Sequence, residues 1–178
     1  MAMNRLQFRP GMSLFEFFQR FGTSSQSTLL KGISISEQYY LPPHHRAMSD
    51  IDILVPKEAF NAVEAEAKRL GNEQLGPQVT GPGHHHGEPL YHSERQTVLE
   101  IHTALFKEDS PLSQGDLFSP DSIARTSVTS VFRGRTVRRL TEEIQLVYIA
   151  AYWFAARLPA QRFRTWLGLC DPTVSQHV

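Results

Sequence analysis

The stretch Arg46-Ala-Met-Ser-Asp-Ile-Asp-Ile-Leu-Val55 decides the reading of this 178-residue chain. Asp50-Ile-Asp52-Ile alternates acid and aliphatic, and in a strand successive side chains point to opposite faces. Ile51 and Ile53 then enter the core while Asp50 and Asp52 share the other face. At about 4 Å and an effective dielectric near 20, two carboxylates repel by roughly 4 kcal/mol, so the pair demands a cation, a proton or separation. Carboxylate oxygens are preferred ligands of Mg²⁺. The competing reading is two acids on a wet strand edge, and the surrounding sequence has to decide between them.

Downstream, Pro56 leads into an Ala- and Glu-rich helix over 57–70, closed by Gly71. Upstream, Ser27-Thr-Leu-Leu-Lys-Gly32 reads as a short buried strand ending at a glycine, followed by a helix over 34–40 that Pro42 and Pro43 stop. Strand, helix, strand, helix implies an α/β core. Ser13 opens an apolar helical face carrying Leu14, Phe15, Phe17, Phe18 and Phe21. Residues 71–87 are rich in Gly, Pro and polar residues and read as a long surface excursion holding His84-His-His86. Thr97-Val-Leu-Glu-Ile-His-Thr-Ala-Leu105 resumes strand alternation, and 127–140 reads as a hairpin about Arg133-Gly134. Thr141 caps a long helix to Leu158, and a second helix spans 160–169. The expected organisation is a mixed α/β (α+β) domain over residues 1–140, with a small helical region over 141–178 packing on it.

The chain is 40% hydrophobic and 20% charged, with formal net charge zero, enough to bury a real core and without a global pull toward nucleic acid or anionic membrane. A single cysteine, Cys170, excludes a disulfide framework and a Cys-rich zinc module. The N-terminal run lacks an apolar stretch of signal-peptide length, so the expected location is cytoplasmic, with no membrane partner.

Two further motifs accompany the aspartates. Leu29-Leu-Lys-Gly32 with Ile33-Ser34 delivers a glycine and a hydroxyl to a helix start, where free N–H groups and the helix dipole can receive phosphate. Glycine needed merely for a turn is the plainer reading of that motif alone. In Val98-Leu-Glu100-Ile-His102 an acid sits inside an apolar strand, which is unfavourable without a partner, and His102 shares its face.

Glycine at a strand-to-helix turn, Asp-x-Asp on the next strand and an acid on a later strand together resemble the DNA polymerase β-type nucleotidyltransferase superfamily. Leu29-Leu-Lys-Gly32, the 46–55 run, His84-His-His-Gly-Glu-Pro-Leu90, Leu99-Glu-Ile-His-Thr-Ala-Leu-Phe106 and Leu140-Thr-Glu-Glu-Ile-Gln-Leu146 are similar, in this order, to its bacterial family of uncharacterised nucleotidyltransferases. The likeness runs from about Leu29 to Leu169. It implies a polymerase β-like mixed sheet flanked by helices and transfer of a nucleoside monophosphate from a triphosphate to an unidentified hydroxyl or phosphate acceptor. It further implies that Gly32 and Ser34 approach the triphosphate and that Asp50, Asp52 and Glu100 are the catalytic, metal-binding carboxylates. Mg²⁺, as one or two ions and replaceable by Mn²⁺, is the implied cofactor. Arg46 either contacts phosphate or pairs with an acid, and Lys31 is open in the same way. The chain departs from the broader superfamily at Ile33, where a second glycine or serine is usual. A nucleotide-binding or interaction module without turnover is therefore the competing reading.

Three consecutive loop histidines rarely present their nitrogens to one tetrahedral ion, so a structural zinc at His84 to His86 is set aside. The resemblance instead places this loop near the active site, with His85, His86 and His102 as possible substrate contacts. His102 is also read as a core histidine or an orienting partner of Glu100. Arg125, Arg133, Arg135, Arg138 and Arg139 most simply form a solvated face, with nucleic acid the lesser alternative.

Overall fold

The computed structural model describes residues 27–40, 50–76, 85–132 and 135–157. The expected helices over 13–21 and 160–169, the Arg133-Gly134 turn, Arg46 and His84 lie outside them. The chain divides into two compact units, Met1–Thr141 and Glu142–Val178.

In the first unit the described residues form a mixed seven-stranded sheet with three helices. In chain order these are β1 (Thr28–Leu29), α1 (Lys31–Tyr39), β2 (Ile51–Leu54), a 3₁₀ turn (Lys57–Ala59) running into α2 (Phe60–Arg69), β3 (Glu73–Gln74), β4 (Leu90–His92) and β5 (Thr97–His102). Then come α3 (Pro120–Thr126), β6 (Val128–Phe132) and β7 (Arg135–Arg139). Across the sheet the strands run β3-β4-β5-β2-β1-β7-β6. β2 is central: it pairs antiparallel with β1 and parallel with β5, while β7 runs parallel to β1.

All four residues of β2 are buried, as befits a strand covered on both faces. Ile51, Ile53 and Val55 join Leu29, Ile33, Val63, Ala67, Leu99, Ile101 and Val137 in one core cluster. The alternation expected of 50–55 is thus present: aliphatics enter the core, and Asp52 takes the opposite face. α2 contributes Val63 and Ala67, one helical turn apart, and ends at Gly71, whose φ of +93° suits a residue without Cβ.

Three local boundaries differ from expectation. α1 begins at Lys31 rather than near Ser34, so Gly32 sits inside its first turn and Lys31 takes the left-handed backbone, with φ +41°. β5 stops at His102, and the 71–87 excursion contains β3. α3 was not anticipated, although Ser119 caps it by accepting the Ser122 N–H and Pro120 opens it.

The second unit's described residues form α4 (Glu142–Arg157), with Glu142 and Glu143 in its first turn, where acids complement the helix dipole. Among the described residues no helix is long and apolar enough to cross a membrane.

Candidate active site

Parallel pairing of β2 with β5 sets Asp52 opposite Glu100 and Leu54 opposite His102. Glu100 and His102, two residues apart, share the face that Asp52 occupies. One ligand atom from each of Asp52, Glu100 and His102 lies within 4.8 Å of the others, a grouping able to hold a metal ion. Asp50 is half-buried one residue before β2, engaged in contacts of its own, and is not part of that set.

Asp52 is 2% exposed, and two donors converge on its Oδ1. Lys31 Nζ donates at 2.6 Å and His102 Nε2 at 2.8 Å, and the same nitrogen lies 3.6 Å from Glu100 Oε2. Burial opposes charge on Asp52, yet the hydrogen bond from His102 and the Lys31 ammonium outweigh it and hold the carboxyl below its ordinary value. For His102, burial disfavours the cation, but hydrogen bonds to Asp52 and Glu100 raise the imidazole above its usual value. A buried carboxylate that gathers the Lys31 ammonium and the His102 imidazole meets the electrostatic requirement of a cation site, and the oxygen, oxygen and nitrogen donor set fits a divalent ion.

The backbone fixes these groups. The Leu30 N–H donates to the Asp52 carbonyl at 3.1 Å, so the start of α1 is tied to the middle of β2. No side chain caps α1 at Leu30, and its first turn contains no acid. Its N-terminal N–H groups therefore present positive potential beside the carboxylates. Gly32 is buried in that turn, while the Ser34 hydroxyl accepts from Gln38 Nε2 at 2.9 Å, an engagement not visible in the sequence.

Two histidines expected near the site are brought to it. Thr103 N–H donates to the His85 carbonyl at 2.8 Å and Gly87 N–H to the Ile101 carbonyl at 2.9 Å, so the His85–His86 segment lies against the end of β5. The ring centroids of His85 and His86 lie 5.6 and 5.3 Å from that of His102, and 4.7 Å from each other. Burial, aided by His86, His102, Lys31 and Lys107, pushes His85 down to about 4, leaving it neutral near pH 7. Lys107 enters the site's electrostatics without any signal in the sequence pattern. The constellation can bind a divalent ion and, around it, an anionic group facing Lys31 and the start of α1.

A family model described as uncharacterised nucleotidyltransferase matches residues 12–165. The fold is similar to that of TM1012, a candidate nucleotidyltransferase from Thermotoga maritima, at TM-score 0.63 and 17% identity, covering 90% of this chain and 95% of that one. It is also similar to lincomycin-bound LnuA, a lincosamide antibiotic adenylyltransferase, at TM-score 0.53 and 17% identity, covering 79% of this chain and 85% of that one. The antibiotic-resistance factor ANT(2″)-Ia matches at TM-score 0.52 and 16% identity, covering 83% of this chain and 71% of that one. At these identities the likeness is one of fold. No curated protein matches the chain.

Proposed function

We propose, for a chain that belongs to the uncharacterised nucleotidyltransferase family, that it moves a nucleoside monophosphate from a nucleoside triphosphate to a hydroxyl or phosphate acceptor with a divalent cation. The observation that supports this reading best is Asp52 Oδ1, a buried carboxylate oxygen placed in register with Glu100 and already attracting the Lys31 ammonium and the His102 imidazole. Asp52 and Glu100, with Asp50 from the turn before β2, are the proposed ligands of the expected Mg²⁺. A divalent ion bound there neutralises phosphate charge and favours attack on the α-phosphorus.

The residues of the chain have separable roles in this reading. Gly32 and the uncapped N–H groups of α1 receive the triphosphate. Lys31 faces both Asp52 and that helix start, so it can bind phosphate once a metal ion replaces it at the carboxylate. Ser34 is proposed beside the phosphates through its hydroxyl, which accepts from Gln38 Nε2 and can donate its own O–H. Arg46 is the remaining proposed phosphate contact. Neutral His85, with His86 beside it, lines the site next to Lys31, where an acceptor or base can be contacted. Residues 1–140 form the proposed catalytic part and 141–178 its helical appendage. One fold neighbour is a lincosamide antibiotic adenylyltransferase by name and another an antibiotic-resistance factor, which makes small hydroxyl-bearing molecules the first acceptors to try. A cytoplasmic location, with nucleic acid the lesser alternative among the partners, completes the proposal.

One feature favours the second reading, a binding module without turnover: the Lys31 ammonium occupies the carboxylate oxygen that a metal ion needs. Thermal-shift titration with each nucleoside triphosphate, with and without Mg²⁺, compares wild type with Asp50→Ala and Asp52→Ala. Ligand that binds only the native state raises its stability. Metal-dependent stabilisation confined to the wild type, followed by pyrophosphate release with an acceptor, is the expected result. Stabilisation without release across a broad acceptor panel supports the binding module, and no stabilisation by any nucleotide overturns both.

A further inference from the structure

We infer that the cation site is a mixed carboxylate–imidazole centre, with His102 Nε2 as a ligand, that selects Mn²⁺ over Mg²⁺; the transferase reading supplies the location of the site. Asp52 and Glu100 face each other across parallel strands, and any ion they share must lie beside the atoms that already lie between them. His102 Nε2 is such an atom, 2.8 Å from Asp52 Oδ1 and 3.6 Å from Glu100 Oε2. The ring is 1% exposed, and its backbone is pinned by the Val55 N–H, which donates to the His102 carbonyl at 2.8 Å. An ion entering between the carboxylates therefore meets an imidazole nitrogen held in place, and it binds there by displacing to solvent the proton that Nε2 donates to Asp52.

The identity of that donor decides which ion is favoured. Mg²⁺ takes near-octahedral oxygen coordination and surrenders water reluctantly, so an imidazole in its shell contributes little. First-row transition ions accept imidazole readily, and Mn²⁺ combines this with a preference for carboxylate and phosphate oxygens. Adding His102 to the three proposed carboxylates still leaves positions of a six-coordinate shell open, as a centre that must also accept phosphate oxygens requires.

The surroundings add to this. His85 and His86 pack their rings near His102, which makes the pocket rich in nitrogen rather than purely oxygen-lined. His85 Nδ1 is buried without a hydrogen-bond partner among the described residues, so its lone pair is not committed elsewhere. His102 Nδ1 likewise has no partner among the described residues.

The test uses the full chain stripped with chelator and titrated separately with Mn²⁺ and Mg²⁺ in the absence of nucleotide. Wild type should bind Mn²⁺ at least about tenfold more tightly, and pulsed electron paramagnetic resonance of the Mn²⁺ complex should show coupling to ¹⁴N. His102→Gln, which keeps a donor for Asp52, should lose the coupling and most of the preference while still binding Mg²⁺. Labelling histidine with ¹⁵N should replace the ¹⁴N coupling by a ¹⁵N coupling in unsubstituted protein, an answer that does not depend on the variant folding. Absence of nitrogen coupling in wild type, its persistence in a folded His102→Gln, or equal affinity for the two ions would each overturn the assignment. Nucleotide transfer supported by Mg²⁺, together with a Mn²⁺ complex that shows no nitrogen coupling, would overturn the His102 ligand and leave the transferase standing. Nitrogen-coupled Mn²⁺ in a chain that binds no nucleotide would do the reverse.

Discussion

Lys31 donates to Asp52 Oδ1 at 2.6 Å from a backbone held at φ +41°, a conformation that side-chain-bearing residues seldom adopt. The left-handed backbone costs about 1 kcal/mol. Lys31→Met keeps the strain and removes the ammonium that competes with a metal ion. Divalent-cation affinity, measured by calorimetry without nucleotide, should therefore rise by about tenfold while nucleoside triphosphate affinity falls. Lys31→Gly removes the strain as well and should be more stable than Lys31→Met by about 1 kcal/mol in urea denaturation. Weaker cation binding in both variants would show that Lys31 assists the ion instead of competing with it.

Asp52→Ala would leave Lys31 and His102 facing a buried void without their carboxylate, at a cost of about 3 kcal/mol or more. Asp52→Asn preserves shape and separates chemistry from folding. Transfer should fall by about 10³-fold in Asp52→Asn, with a folded near-ultraviolet spectrum retained. Activity within about tenfold of wild type would remove Asp52 from the chemistry.

An imidazole ordinarily near 6.5 and held down to about 4 in the fold takes its proton later there than in the unfolded chain. Between those values the unfolded state binds more protons, so the His85 contribution to stability falls as pH drops from 6.5 toward 4. His102 has the opposite sign. Its raised value gives stability that is full below 6.5 and lost as pH rises through the folded value. Asp52, lowered, contributes above 3.8 and loses that contribution as pH falls through its folded value. In denaturation across pH 4 to 7, His85→Gln should be relatively stabilised at the acid end and His102→Gln relatively destabilised there. The slope from each group should stay below ~1.4 kcal/mol per pH unit, the limit set by a single proton. Parallel curves for wild type and His85→Gln would refute the buried neutral ring.

A Cβ at Gly87 would stand 2.5 Å from Cζ of Phe60, and the Gly87 N–H anchors the histidine segment to the Ile101 carbonyl. Gly87→Ala should cost about 1–3 kcal/mol, with partial recovery in a Phe60→Leu background. Thermal unfolding of the two single variants and the double variant measures that coupling, and simple additivity would mean that Phe60 is not the obstacle.

Much of this arrangement is legible in the residues themselves. The alternation of 50–55 marks β2, the period and Gly71 mark α2, and the β-rich flanks of Arg133-Gly134 mark β6 and β7. Short, polar or proline-flanked strands such as Glu73–Gln74 and Leu90–His92 carry too little pattern to be read. The chain also shows which acids matter, but not how they group. Asp50 and Asp52 look like a pair by spacing, whereas strand register matches Asp52 with Glu100 and sets His102 two residues further along the same face. Lys31 reaches Asp52 only because the β1–α1 turn lies beside β2, a tertiary relation with no local signature. The Ser119-Pro120-Asp121 cap of α3 was legible and was missed.

The central place of β2 also has a kinetic side. Its partners arrive from far along the chain: Asp52 and His102 stand 50 positions apart and Asp52 and Lys31 21 apart, while β1 waits for β7 at Arg138. Loop-closure entropy must be met before such contacts return any stability, and parallel pairings over long separations form late. During synthesis the carboxylates of β2 therefore emerge well before the strand that completes their ladder, and the cation cluster matures only after His102 has left the ribosome. A chain interrupted ahead of β5 would carry Asp52 with neither Glu100 nor His102 beside it, so acquisition of the ion would itself report that the non-local part of folding is complete.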